Sequence, residues 1–266
     1  MRTISKYWSI FQITLVNSLA YPGELAGRSL MIIPFMWIFY QLWKVTFSAA
    51  DADAGSISGL TLQDTLWYLM LAETIELGRP PIARTMSESV KDGSIAYILN
   101  KPYDFLLYQF STAMGETIFR AMLNAVFGGL TVWWLVGVPN HPEGFLIAIP
   151  AILGAWVLHF CINAMIGLSA FIVEDVSAFT WIYQKLAFIF GGMLIPLDFY
   201  PQWLQTAAKF LPFSSAIYGP ARLFVSPTAE LFINVMTLQL AWIFTLTVLL
   251  IVIYRRGLTQ LTVNGG

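Results

Sequence analysis

The sequence predicts an all-α integral membrane protein with six transmembrane helices, an amphipathic interfacial helix at its start, and short helices in two connections. Three observations predict it. Hydrophobic residues make up 58% of the chain and charged residues 11%, against about 25% charged in soluble domains. So few charges cannot cover a compact globule with polar surface, which makes lipid part of the solvent. Six apolar runs approach the about 20 residues needed to cross the hydrocarbon. Lys and Arg gather on one set of alternate connections, and Trp on the other.

Taken in order, the first segment is 1–28. Ile4, Tyr7, Trp8, Phe11 and Leu15 recur at helical spacing, with Arg2, Lys6, Ser9 and Asn17 elsewhere on the wheel. That pattern suits a helix lying among lipid headgroups, although an amphipathic start with no special role shows the same spacing. Tyr21-Pro22-Gly23 breaks it. These residues lack an unbroken apolar stretch and an A-x-A-like site, so no cleavable leader is expected.

The six-span region is 29–256. Its expected spans are Ser29 to Phe47, Leu60 to Leu77, Glu116 to Val138, Phe145 to Val173, Phe179 to Leu197 and Leu231 to Tyr254. The second is the weakest, because Asp64, Glu73 and Glu76 interrupt or flank it. Residues 257–266 are read as a cytoplasmic tail. With the N-terminus in the cytoplasm, Arg2, Lys6, Arg28, Arg79, Arg84, Lys91, Lys101, Lys185, Arg255 and Arg256 share the cytoplasmic side. Lys44, Lys209 and Arg222 fall outside. The bias puts both termini in the cytoplasm. Trp43, Trp67, Trp133, Trp134 and Trp203 then mark the outer interface.

Two connections carry structure. In Gly78 to Tyr103, Pro80-Pro81 stop one helix, Ile82 to Val90 can form a short amphipathic one, and Asp92-Gly93 ends it. The outer connection after the fifth span is apolar and aromatic yet broken by Pro196, Pro201, Pro212 and Pro220. Short helices dipping into the outer leaflet fit it, since irregular backbone at that depth must be buried in protein or face a wet cavity.

Several chemistries are disfavoured. No Lys follows a Gly, so G-x-x-x-x-G-K-[ST] is missing, and neither G-x-G-x-x-G nor H-E-x-x-H occurs. His141 and His159, the two histidines, fall on opposite sides of a span boundary, and Cys161 is the single cysteine. A metal cluster or a His-based triad has little to work with. A net charge of -1 gives no argument for nucleic acid. Glu116 and Arg120, four apart, can pair near the cytoplasmic interface, and anchoring is favoured over a substrate role. Glu73 and Glu76 can pair with Arg79 in the same way. His159 and Asn163 are also four apart but deeper. They can meet a substrate or a partner, although an interhelical hydrogen bond is the plainer reading. Gly191-Gly192 allow close backbone approach.

Two segments resemble a known family. GSIAYILNKPYDFLLYQF, residues 93–110, resembles the G-x-(I/L)-x-x-x-L-x-(K/R)-P region of ABC-2-type permeases. GGMLIPLDFYPQWLQTAAKFLPF, residues 191–213, is similar to that family's Gly-Gly, Pro and Pro-x-Trp stretch and the Leu-Pro element after it. The resemblance implies a permease subunit of an ATP-driven exporter in a bacterial cell membrane, not itself an enzyme. It also implies a second identical or related permease, and separate ATPase subunits that hold ATP and magnesium. By position it implies an ATPase-coupling helix with Ile82, Arg84, Glu88, Lys91, Asp92 and Gly93. It implies an outer gate with Gly191, Gly192, Pro196, Pro201, Trp203 and Pro212. The acidic second span departs from the family's pattern. A secondary transporter would show inverted repeats or a charged midplane path, and neither is evident. An intramembrane lipid-modifying enzyme could draw on Glu73, Glu76 and Glu116 at one face. A membrane scaffold is a further alternative.

Overall fold

A computed structural model describes residues 2–20, 22–49, 55–173 and 175–264. Its elements in chain order are α1 (Arg2–Ala20), α2 (Pro22–Ser29), α3 (Ile32–Ala49), a minimal hairpin of β1 (Ser56–Ile57) and β2 (Leu60–Thr61), and α4 (Leu62–Gly78). Then follow α5 (Ile82–Lys91), α6 (Ser94–Leu99), α7 (Phe105–Val136), α8 (Gly144–Leu168) and α9 (Ser177–Phe190). Last come α10 (Gln202–Lys209), α11 (Pro212–Ala216), α12 (Tyr218–Val225) and α13 (Ala229–Asn264).

Among the described residues, four helical segments are long and apolar enough to cross a membrane: Ala26–Ala49, Phe105–Val136, Gly144–Phe171 and Ala229–Gly257. They contain the first and sixth expected spans, and they overlap the third and fourth, which were expected to run two residues further, to Val138 and Val173. The second and fifth are helices too, but of 17 and 14 residues. At about 1.5 Å per residue they fall short of a bilayer of about 30 Å.

The reason is clearest for α4. A capping box starts it: Thr61 Oγ1 accepts from the Asp64 N–H, and Asp64 Oδ2 accepts from the Thr61 N–H, both at 3.1 Å. Every residue from Thr65 to Glu76 is then buried. A helix buried on all sides sits in the middle of the protein, and it packs against α3, α7 and α12. Its acidic residues face protein and cavity, so a reading that assumes lipid contact undervalues it.

Other boundaries move for local reasons. The third span was expected from Glu116, but α7 starts at Phe105, where Asp104 caps it by accepting from the Leu107 N–H at 2.9 Å. The fifth was expected to reach Leu197, but α9 stops at Phe190 and Gly191-Gly192 form a turn, with Gly192 at φ 65°. The glycines end the helix and do not lie within it. Helix α13 continues through the expected tail to Asn264. Trp43 and Trp67, expected in the outer belt, are buried, whereas Trp133, Trp134 and Trp203 are exposed.

Contacts define two ends. At one, Lys6 Nζ donates to the Pro102 carbonyl at 2.8 Å, the Asp104 N–H donates to the Tyr7 hydroxyl at 2.8 Å, and Phe105 stacks on Tyr254. This end also carries α5, α6 and Arg84, Lys91 and Lys101, and is called the basic end. At the other, Trp67 Nε1 donates to the Gly137 carbonyl at 3.1 Å and Asn140 Nδ2 to Asp64 Oδ1 at 2.8 Å.

Candidate functional site

The short helix α5 is the first part of the candidate site. Pro80-Pro81 precede it and Gly93, at φ 75°, follows it. Ile82, Ala83, Met86 and Ser87 are buried, on the face that packs against the basic end of α8. The fit is close. A Cβ on Gly167 would lie 2.9 Å from Met86 Cβ and 3.3 Å from Ala83 Cα. Arg84, Glu88 and Lys91 occupy the opposite, exposed face, where Arg84 Nε pairs with Glu88 Oε1 at 2.7 Å. Both groups are largely solvated, so the pair contributes little stability.

A groove of about 470 Å³ separates α5 from the start of α9, lined by Arg84, Glu88, Lys91, Asp175, Trp181 and Gln184 among others. Asp175 accepts from the Ser177 hydroxyl at 2.7 Å and its N–H at 3.0 Å. These bonds, with the Lys91 charge, hold its carboxyl below the ordinary 3.8. Hydrogen bonds from Ser94 do the same for Asp92. The α5 end of the molecule therefore carries ionised carboxylates, held by local hydrogen bonds, beside the exposed Arg84 and Lys91 at neutral pH.

The second part is a buried polar chain. Arg79, just past the end of α4, pairs with Glu76 and donates from Nη1 to Asn163 Oδ1 at 3.4 Å. Its guanidinium lies over the Tyr183 ring, 5.2 Å from the centroid. Asn163 Nδ2 donates to the His159 carbonyl at 2.8 Å, and His159 Nδ1 is hydrogen-bonded to the Tyr183 hydroxyl. The chain ties α4, α8 and α9 together where α5 begins. Beside it lies a cavity of about 700 Å³. Its polar wall includes Glu73, Glu76, Arg79, Arg120 and Asn163, and its apolar wall includes Phe35, Phe39, Phe188, Met193 and Leu194.

The third part is the connection after α9. Helices α11 and α12 are almost wholly buried and pack on α8, and α12 also on α4. Gln239 Nε2 holds this segment by donating to the Ser215 carbonyl at 3.0 Å and the Ala151 carbonyl at 2.7 Å. Asp198 accepts from Arg222 Nε at 3.3 Å and from the Tyr218 hydroxyl at 3.2 Å. The Tyr68 hydroxyl, on α4, donates to the Gly192 carbonyl at 2.7 Å. A side chain on Gly192 would meet Leu197 Cγ at 2.9 Å and the Tyr68 oxygen at 3.0 Å.

The expected site residues therefore divide. Arg84, Glu88, Lys91, Asp92 and Gly93 are exposed around α5, while Ile82 is buried and anchors the helix. Gly191, Gly192, Pro196 and Pro212 are buried, while Pro201 and Trp203 lie on the surface, Trp203 with 72% of its area exposed. Glu116 and Arg120 pair at 3.1 Å, and the Arg120 side chain reaches the cavity wall. His159 and Asn163 meet α9 and Arg79 instead of each other's side chains. Sequence reasoning missed Tyr68, Asp175 and Tyr183. Asp175, in the short polar break between the fourth and fifth spans, was the one with a local signal.

The family model described as ABC-2 family transporter protein matches residues 31–265. Comparison with curated proteins gave no match, and comparison with solved structures gave none. Members of this family are membrane components of transport and not themselves catalysts. The matched stretch takes in the polar chain, α5 and the buried segment after α9 alike, and on that match the chain belongs to the ABC-2 transporter family.

Proposed function

We propose that this chain is the membrane-spanning subunit of an ATP-driven exporter. It lines part of the substrate path together with a second permease and takes its drive from separate ATPase subunits at the basic, cytoplasmic end. The observation that carries this reading is the two-faced α5. Its apolar face is locked under α8, and its charged face, with Arg84, Glu88 and Lys91, is free. A helix held so firmly on one side transmits a push on the other side as rigid-body motion.

The route of that push is physical. Helix α5 follows α4 across Arg79 and the two prolines, and α4 meets the outer segment through Tyr68 and Gly192. Ten residues of helix separate Tyr68 from Gly78, about 15 Å. ATP-driven closure of the ATPases would tilt α5 and α4 together and shift the buried outer helices, opening the exit. ATP and magnesium belong to the partner. This chain contributes the lever, the cavity and the gate. Helix α9, which buries Tyr183 and Ala187 and exposes Phe179, Trp181, Ile182 and Ile189, is the face offered to the second permease.

The test is affinity purification of the tagged full chain from native membranes, with mass spectrometry of what accompanies it. The expected result is a Walker-motif ATPase that is lost on charge reversal at Lys91→Glu or Asp92→Lys. Recovery of the chain alone in several mild detergents would overturn the exporter reading.

A further inference from the structure

The cavity wall holds one carboxyl without a partner. Arg79 is paired with Glu76, Arg84 with Glu88 and Arg120 with Glu116, and Arg28 is engaged as well. Glu73 is different. Its side chain lines the same cavity and the residue is 3% exposed. Its Oε1 is buried with no hydrogen-bond partner, and no cation pairs with it among the described residues. The neighbouring charge, one turn on, is the Glu76 carboxylate, of like sign. Burying a carboxyl without a partner costs free energy that the fold does not recover by itself, and such residues within membranes are characteristically functional.

The surroundings define what would satisfy it. Phe35 and Phe39 come from α3, Phe188 from α9, and Met193 and Leu194 from the turn beyond it. Three aromatic rings and flexible apolar side chains accept a bulky apolar body and, through the ring faces, a nearby cation. About 700 Å³ lies within the range of small-molecule sites. An anion finds the arginines already engaged and two carboxyls nearby. We propose that Glu73 is the counter-charge for the cationic centre of an amphiphilic ligand, a protonated or quaternary nitrogen or a comparable onium, whose apolar body lies among Phe35, Phe39, Phe188 and Met193. As the class of exported substrate this rests on the exporter reading; as a binding site it does not.

The experiment is equilibrium binding of radiolabelled tetraphenylphosphonium to the full chain in lipid nanodiscs, without ATP or ATPase. Tetraphenylborate, of the same shape and opposite charge, is the control. Saturable binding is expected for the cation, displaced by unlabelled cation and not by tetraphenylborate. Glu73→Gln should weaken it at least about tenfold, the scale of one charge-assisted contact, and Glu230→Gln, at the exposed start of α13, should leave it unchanged. Equal displacement by the two ions, absence of saturable cation binding, or full affinity in a folded Glu73→Gln protein would overturn the proposal. The contrast between the ions needs no variant, so it decides even if Glu73→Gln does not fold. With no ATPase present, a negative result leaves the exporter reading standing, and a failed ATPase co-purification leaves the binding result standing.

Discussion

The connection 78–103 and the connection 191–228 look alike as sequence: each is punctuated by proline and glycine and each forms short helices. The structure treats them oppositely. In the first, α5 buries one apolar face and turns Arg84, Glu88 and Lys91 to solvent. In the second, α11 and α12 vanish into the bundle, and backbone carbonyls at Gly192 and Ser215 are satisfied by side chains from α4 and α13. The difference follows from charge density. A segment with about one charge per turn, as in α5, keeps a solvated face, and that face is available to another protein. A segment with almost none has to satisfy its irregular backbone inside the molecule, and it becomes a packing element whose geometry is set by its neighbours.

That contrast can be broken at several points, from strong effects to weak. Gly192→Val combines a left-handed backbone position with contacts under 3.1 Å. A loss of about 3 kcal/mol or more in folding stability is expected. It is measured as thermal unfolding and monodispersity of the detergent-solubilised chain, and a mild effect would mean the outer turn is not fixed by packing. Tyr68→Phe deletes the donor to a buried carbonyl and should cost about 1–3 kcal/mol by the same measurement. Gly167→Val, beneath α5, should cost a similar about 1–3 kcal/mol by overpacking against Met86 and Ala83. Uniquely among these three, it should also reduce ATPase retention. Lys91→Glu on the free face should change stability by less than about 0.5 kcal/mol, its effect confined to the partner. The weakest effect is with pH. Asp92 and Asp175 are held below their ordinary 3.8, so their local bonds are complete above that value and are lost as pH falls through the lowered ones. Between neutral pH and the ordinary carboxylate value the unfolding midpoint should not vary with pH on their account, because their contribution is complete throughout. Asp175→Asn should lower the neutral plateau slightly and remove this residue's share of the acid limb.

The legible parts of this molecule were those written in neighbouring residues. The Glu116 and Arg120 pair, the start and stop of α5 and the proline-broken outer segment are all local patterns, and each appears at its expected position. Span lengths were less legible, because counting apolar residues assumes that lipid surrounds the helix. That holds for α13 and fails for α4, whose carboxyls face protein. The Tyr68 to Gly192 bond joins residues 124 apart in the chain, and Tyr183 reaches His159 from a different helix. No spacing rule carries such information. Trp43 and Trp67 misled for the same reason: tryptophan suits a membrane interface, but Trp43 packs on Phe199 and Trp67 on Phe224 within the protein.

Helix α7 has 32 residues, which at about 1.5 Å each makes a rod of about 48 Å. That exceeds the hydrocarbon of a typical bilayer, about 30 Å, by more than half its thickness. Helix α1 packs along the basic-end portion of this rod, with Phe11, Thr14 and Leu15 against Gly115. The surplus has to be absorbed by tilt or by projection into the headgroups. Either way, the height at which α1 rides relative to the lipid surface is set by bilayer thickness. The same protein in a thicker membrane would stand more upright and draw α1 toward the lipid, so chain length of the surrounding lipids becomes a dial on the tilt of this chain.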